Sequence, residues 1–375
     1  MDLTYSQAEE EFRAEARQWL AASVPEQPLP SGDTREGFAR HVEWEHALFE
    51  ARWAVVSWPA EYGGRDASLW EWLIFEEEYY RAGAPARVTQ NGIFLLAPTV
   101  FEFGTREQKD AILPRMAAAE DLWCQGWSEP GAGSDLAGIS SRAVRAPGGW
   151  RLTGQKTWTT RGAFCTHLFG LFRTDPEAER HRGLSYFLVP LDTEGVAVRG
   201  FGRLDGDEGF AEVFFTDAFV PDSAVLGEVS QGWRVAMATA GSERGLTLRS
   251  PGRFLAAADR LTALARGRRL TPLLRDQVVA AWMDAEAYQL FTLQQVTGIA
   301  EGRAAGPEAS LNKIFWSELD IRLHEAALNL LGPEAEAAGP WSKGFLFSLG
   351  GPIYAGTNEI QRNIVAERLL GLPRR

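Results

Sequence analysis

A chain of 375 residues exceeds the roughly 250–300 at which one hydrophobic core stops growing, so two or three packed units are expected. Its 38 basic against 50 acidic residues leave a net charge of −12, which repels a polyphosphate backbone and argues against nucleic acid as the main partner. The cysteines, Cys124 and Cys165, are too few for a disulfide framework and sit in no metal-type spacing, which fits a reducing cytoplasm.

The N-terminal MDLTYSQAEEEFRAEARQWL is acidic and lacks a basic segment followed by an apolar one, so it reads as the start of a helix rather than a signal peptide. Capping boxes follow in order: Ser6 with Glu9, Ser68 with Glu71, Thr105 with Gln108. Behind the first two come apolar residues at helical spacing, Phe12, Ala16, Trp19 and Leu20, then Trp72, Phe75 and Tyr79. WPAEYGG (58–64) is a turn-rich connector. The most apolar run, GIFLLAPTVF, is broken by Pro98 and falls short of the about 20 residues a membrane span needs.

From about residue 123 the texture changes to short β-prone runs separated by Gly, Pro and Asp: WRLTGQKTWTT, THLFGLFRT, GLSYFLVPL, GVAVRGF and AEVFFTDAFVP. Such runs predict a small barrel or sandwich. Helices return after Gly227. Thr271-Pro272 opens a long one running toward Gly302, another reaches Leu331, and a last one starts at Thr357, with Ile360, Ile364 and Leu369 on one face, and stops at Gly371. The expected blocks are 1–122 helical, 123–226 β and 227–375 a helical bundle.

Two stretches carry chemistry. QGWSEPGAGSDLAG (125–138) offers close backbone approach at Gly131, Ala132 and Gly133 and hydroxyls at Ser128 and Ser134 to a flat polar ligand. It is no Rossmann fingerprint, because Leu136 stands where the third glycine belongs; an ordinary Gly-rich turn is the plain alternative. LTGQKTWTT (152–160) puts Trp158 and Thr160 on one strand face, where an indole could cover a ring system and a hydroxyl could donate to a ring nitrogen. The histidines at 41, 46, 167, 181 and 324 form no HExxH, and there is no GxSxG, which removes the metal and serine hydrolase readings.

Taken together these stretches resemble the acyl-CoA dehydrogenase family, nearly end to end: WPAEYGG, FGTREQKDAILP, SEPGAGSD, LTGQKTWTT, EVFFTDAFVPDSAVLGEVSQGW, GSERG and IYAGTNEIQRNIVAERLLGLP. The resemblance implies an α+β protein with an N-terminal helical domain, a central β domain and a C-terminal four-helix bundle. It further implies FAD as cofactor, an acyl-CoA thioester as substrate, an electron-transferring flavoprotein as acceptor, and a tetramer of one chain or of two paralogues. By that likeness Gln125, Trp127, Ser128, Gly133, Ser134, Trp158, Thr160, Thr357 and Glu359 contact the flavin, while Ser134, Arg244, Ala355 and Gly356 sit by the substrate.

Three departures stand out. Where many relatives carry the catalytic glutamate of the tail, this chain has Ala355, which can accept no proton. Other branches place the base before an arginine early in the C-terminal helices, and that pair is present as Glu243-Arg244. The R-x-x-F-G and Q-x-x-G-G-x-G segments that grip the FAD pyrophosphate are altered to LARGRRLTPLLRDQ and NLLGPEA, the latter keeping Asn329 and Gly332. These losses resemble actinobacterial branches acting on bulky CoA thioesters, such as steroid side chains. Two rivals remain open beside a dehydrogenase with Glu243 as base: a catalytically silent subunit supporting an active partner, and a flavin oxygenase or oxidase on the same fold.

Overall fold

The structure, a computed structural model, describes residues 4–244, 250–303 and 306–374, with 242–244 described by their backbone alone. Its helices are α1 (Gln7–Ser23), α2 (Arg35–Glu50), α3 (Leu69–Arg81), α4 (Ala97–Phe103), α5 (Arg106–Ala117), α6 (Gly232–Arg244), α7 (Pro251–Ala265), α8 (Pro272–Ala300), α9 (Ala309–Leu331), α10 (Pro340–Ser348) and α11 (Asn358–Ile364). The strands are β1 (Trp123–Gly126), β2 (Arg142–Ala146), β3 (Gly149–Thr160), β4 (His167–Arg173), β5 (Leu184–Pro190), β6 (Val196–Phe201), β7 (Phe210–Pro221) and β8 (Val225–Leu226).

Contacts group the chain into two compact units, one of residues 1–26, 67–84 and 244–375, the other of 27–66 and 85–243. The first is helical. All three capping boxes read from the sequence are formed, the first as Ser6 N–H donating to Glu9 Oε2 at 2.7 Å and Glu9 N–H to Ser6 Oγ at 3.3 Å. Phe12, Ala16 and Leu20 of α1 are buried, as are Trp72, Phe75 and Tyr79 of α3. Between α1 and α3, Arg13 and Arg17 reach the buried Glu78, at 3.1 and 2.9 Å. The helices α7, α8 and α9 share a core of Phe254, Leu261, Tyr288, Trp316 and Leu323. Across it Arg253 donates to the buried Asp320 at 2.8 Å.

The second unit holds the whole sheet. Its strand order is β6-β7-β3-β2-β4-β5-β8, with β1 added in parallel to β4. The five runs seen in the sequence are β3 to β7; β1, β2 and β8 are two to five residues long, too short to show a period. Leu168, Phe172, Phe187, Val213 and Phe215 fill the sheet's core. On this unit α6 is fixed through Thr239, whose hydroxyl lies 2.8 Å from Thr99 Oγ1 of α4 and 3.3 Å from Tyr186 Oη of β5. Glu243 and Arg244 belong to the last turn of the same helix.

Candidate active site

In the sheet unit, β1 alternates its faces. Cys124 joins the sheet's core while Gln125 and Trp127 share the other side. Gly126 lets Leu168 pack directly on the strand, since a Cβ there would stand 2.5 Å from Leu168 Cδ1 and force that side chain to move. Trp127 stacks edge-on against Tyr186, ring centres 6.4 Å apart. Its indole N–H and the side-chain amide of Gln125 are buried with no acceptor among the described residues. After Ser128 a pair of reciprocal bonds, Glu129 N–H to Ala132 O at 2.9 Å and Ala132 N–H to Glu129 O at 3.0 Å, turns the chain sharply. The turn leaves Gly131, Gly133 and Ser134 exposed, and nothing lies within 4 Å of a Cβ placed on either glycine.

Beneath this loop is a buried ion pair. Lys156 Nζ, on β3 and 0% exposed, donates to Glu129 Oε1 at 2.8 Å and to Trp127 O at 3.4 Å. Glu129 also accepts from Ser140 N–H at 2.7 Å, Ser140 Oγ at 2.8 Å and Ser141 N–H at 2.9 Å. Burial by itself would raise the Glu129 pKa, but the Lys156 charge and these donors hold it down at about 2. Lys156 goes down too, to about 8, because desolvation of its ammonium outweighs the pull of Glu129. The asymmetry follows from the donors: the carboxylate has several and the ammonium has one anionic partner.

Two residues on, β3 breaks register with β7 between Lys156 and Thr159, and in that bulge Trp158 adopts a left-handed backbone at φ +57°. A bulky side chain there costs about 1–2 kcal/mol, a form of strain that clusters at functional sites. The bulge turns the indole outward, 61% exposed, between the edges of Phe201 and Phe210 at 5.3 and 5.6 Å. Beyond the bulge Thr159 is buried and Thr160 half-buried. Just past it, Arg161 and Arg203 both clamp Asp33, each at 2.7 Å.

In the helical unit, the tail turn is shaped by its backbone. Ala355 and Gly356 are both left-handed, at φ +58° and +77°. Gln361 Nε2 donates to both their carbonyls, at 3.1 and 3.3 Å. Its Oε1 is buried with no donor among the described residues. The Thr357 hydroxyl accepts from Ile360 N–H at 3.2 Å and caps α11, the buried Asn358 takes Lys313 Nζ at 2.8 Å, and Glu359 points to solvent. The side chains of Glu243 and Arg244 lie outside the described residues.

Family models for the N-terminal, middle and C-terminal domains of acyl-CoA dehydrogenases match residues 6–120, 124–218 and 230–370. The chain belongs to the acyl-CoA dehydrogenase family. It is 39% identical over 390 residues to acyl-CoA dehydrogenase IpdE1 of Mycolicibacterium smegmatis, covering 97% of this chain and 98% of that one. The Mycobacterium tuberculosis protein of the same name is 39% identical over 382 residues, at 97% and 98% coverage. Among solved structures, the Tcur3481-Tcur3483 steroid ACAD superposes with TM-score 0.89 at 28% identity, covering 100% of both chains. The ChsE4-ChsE5 complex of M. tuberculosis does so with TM-score 0.86 at 28% identity and the same coverage.

An acyl-CoA dehydrogenase is an FAD-dependent oxidoreductase, and the residues fit that cofactor. The unanswered donors of Gln125 and Trp127, the open side of Gly131 and Gly133 and the outward indole of Trp158 together suit a planar ligand rich in acceptors. Sequence reasoning missed Glu129 and Lys156. The signal was a lysine inside an apolar aromatic strand next to a Pro-Gly loop carrying an acid, which requires the two charges to meet or to leave the interior. Among the described residues no group of three His, Cys, Asp or Glu could hold a metal ion, and no helix is long and apolar enough to cross a membrane.

Proposed function

We propose that this dehydrogenase removes one hydrogen from each of Cα and Cβ of an acyl-CoA thioester, giving the 2-enoyl-CoA, and passes the electrons to an electron-transferring flavoprotein in the cytoplasm. Bound FAD supplies the hydride acceptor. Glu243 takes the α proton on its carboxylate. Gln125, Trp127, Ser128, Gly133, Ser134, Trp158, Thr160, Thr357 and Glu359 hold the flavin; Ser134, Arg244, Ala355 and Gly356 border the thioester. The reading rests on three sequence blocks, 1–122, 123–226 and 227–375, and on one observation above all: a tail turn kept in shape by Gln361 while its base position holds the methyl of Ala355. An α proton beside a thioester is weakly acidic and needs a positioned base, and the glutamate retained at the alternative family position is Glu243. Likeness to a structure described as a steroid ACAD supports a bulky, polycyclic acyl group.

A tetramer, of this chain or with a paralogue, is supported by an exposed apolar stripe on α8 of Val279, Trp282, Met283 and Leu290. The paralogue version also draws on the paired name of the ChsE4-ChsE5 complex. A partner-dependent subunit is favoured by one specific contact. Arg268, from the altered R-x-x-F-G segment, donates to Leu330 O and Glu334 Oε2, both at 3.1 Å, so the two altered pyrophosphate segments bind each other.

The deciding experiment is anaerobic flavin bleaching by a CoA thioester. Glu243→Gln keeps size and hydrogen bonding, so it is expected to leave FAD bound and slow bleaching by orders of magnitude. Bleaching at the wild-type rate would move the base elsewhere. Absence of turnover in the isolated chain, restored by a co-purifying paralogue, would select the partner-dependent reading, and fast reoxidation by air the oxidase.

A further inference from the structure

The Lys156–Glu129 pair is more than a buried ion pair that the fold tolerates. Lys156 stands two residues before Trp158 and Glu129 directly follows Ser128, so the pair ties together the two stretches that carry most of the flavin-contacting residues. The tie has three strands: Nζ to Glu129 Oε1 at 2.8 Å, Nζ to Trp127 O at 3.4 Å, and Thr157 N–H to Ser128 O at 2.9 Å. The second strand places a full positive charge on the carbonyl of the Trp127–Ser128 peptide. Peptide dipoles polarise as units, so a cation at that oxygen strengthens the N–H of Ser128 as a donor.

We propose that protonated Lys156 is a positioning residue for FAD, holding the Trp127–Ser128 peptide and the β3 bulge in their binding arrangement through Glu129. The inference rests on the FAD reading above. The charged group facing Lys156 is Glu129, from the loop; β4 presents the ring face of Phe172, 4.9 Å away, and the end of β1 the Trp127 carbonyl. When the ammonium loses its proton, Glu129 loses the charge that does most to hold its pKa down, and the buried carboxyl is left with the Ser140 and Ser141 donors alone. The loop is then driven to rearrange. With Lys156 brought down to about 8, this happens under mildly alkaline conditions.

The test is FAD affinity, read by quenching of flavin fluorescence on the purified protein between pH 7 and 9.5, together with the visible spectrum of the bound flavin. Wild type is expected to bind FAD roughly tenfold more weakly at pH 9.5 than at pH 7, with a midpoint near the Lys156 value. The double variant Lys156→Met with Glu129→Gln removes both charges and avoids stranding either one. It is expected to show the weak, alkaline-type affinity and an altered flavin spectrum at every pH while its circular dichroism stays native. A structural ion pair alone would move thermal stability and leave FAD affinity per folded molecule unchanged. A flat wild-type profile with FAD firmly bound overturns the role of the pair, as does a double variant keeping wild-type affinity and the wild-type inflection. Should the double variant not fold, the wild-type profile decides. A wild-type protein that takes no FAD at pH 7, alone or with a partner chain, removes the cofactor reading itself and the inference with it.

Discussion

The loop and strand around 128–160 and the turn at 353–359 both carry residues proposed above to hold the flavin, yet opposite chemistry holds them. The first is organised by charge removed from water, with Glu129 and Lys156 meeting inside the sheet unit. The second is organised by neutral groups, with Gln361 spanning two carbonyls of a left-handed turn and Thr357 capping the helix that follows. Charge gives stiffness and makes the arrangement sensitive to pH and to loss of either partner. Backbone geometry at the apex strains any Cβ at positive φ but asks for no particular chemical group beyond it. That is why the tail can carry a methyl at Ala355 and still form its turn.

The largest break in this contrast is expected from Lys156→Met alone. It strands the Glu129 carboxylate in the interior, at a cost of roughly 3–5 kcal/mol in urea unfolding. Adding Glu129→Gln should recover most of that loss, because two neutral groups of similar shape replace a buried anion. A single variant within about 1 kcal/mol of wild type would mean that water reaches the pair.

Titration sharpens the same contrast without mutation. Glu129 has a folded pKa of about 2 against an ordinary 4.5, so its contribution is complete above pH 4.5 and is lost as pH falls toward 2. The upper bound is roughly 3 kcal/mol. Lys156 runs the other way: its pKa is about 8 against 10.5, so the unfolded chain binds more protons between those values and the FAD-free protein gains stability as pH rises through them. Chemical denaturation across pH in wild type and in the double variant isolates both limbs. Identical acid limbs in the two would assign acid loss to other carboxylates, such as Asp33 and Glu78, whose pKa values are lowered by neighbouring arginines after burial has pushed them up.

Much of the fold was legible because its signals are local. Ser6, Ser68 and Thr105 announce helix starts through contacts three residues away, and Thr271-Pro272 fixes the start of α8. The long strands β3 to β7 show their β-branched and aromatic content within each run. What stayed hidden depends on partners far along the chain. β1 and β2 have too few residues for a period, and β1 exists by its parallel pairing with β4, some forty residues on. Asp33 meets Arg161 and Arg203 across 128 residues or more. The bulge that turns Trp158 outward is a register shift against β7, so KTWTT read alone does not give its left-handed backbone.

The smallest effect probes the neutral turn. Ala355 sits at φ +58°, where a Cβ crowds the following carbonyl and glycine is the residue at ease. Ala355→Gly is therefore expected to stabilise the folded chain. The relief of strain, about 1–2 kcal/mol at most, is partly cancelled by the extra freedom glycine has when unfolded, leaving about 0.5–1 kcal/mol. The bonds from Gln361 reach backbone oxygens that the substitution does not touch, so the turn should keep its shape. Ala355→Glu carries the same φ and should cost little more than the present residue does, since a side chain half-buried at this turn has water within reach. A gain on Ala355→Gly with near-neutrality of Ala355→Glu would show that the turn never depended on the carboxylate for its structure, so that its loss in this chain concerns chemistry alone. A loss above about 2 kcal/mol on Ala355→Glu would show instead a turn rebuilt around the methyl group and closed to a carboxylate at that position.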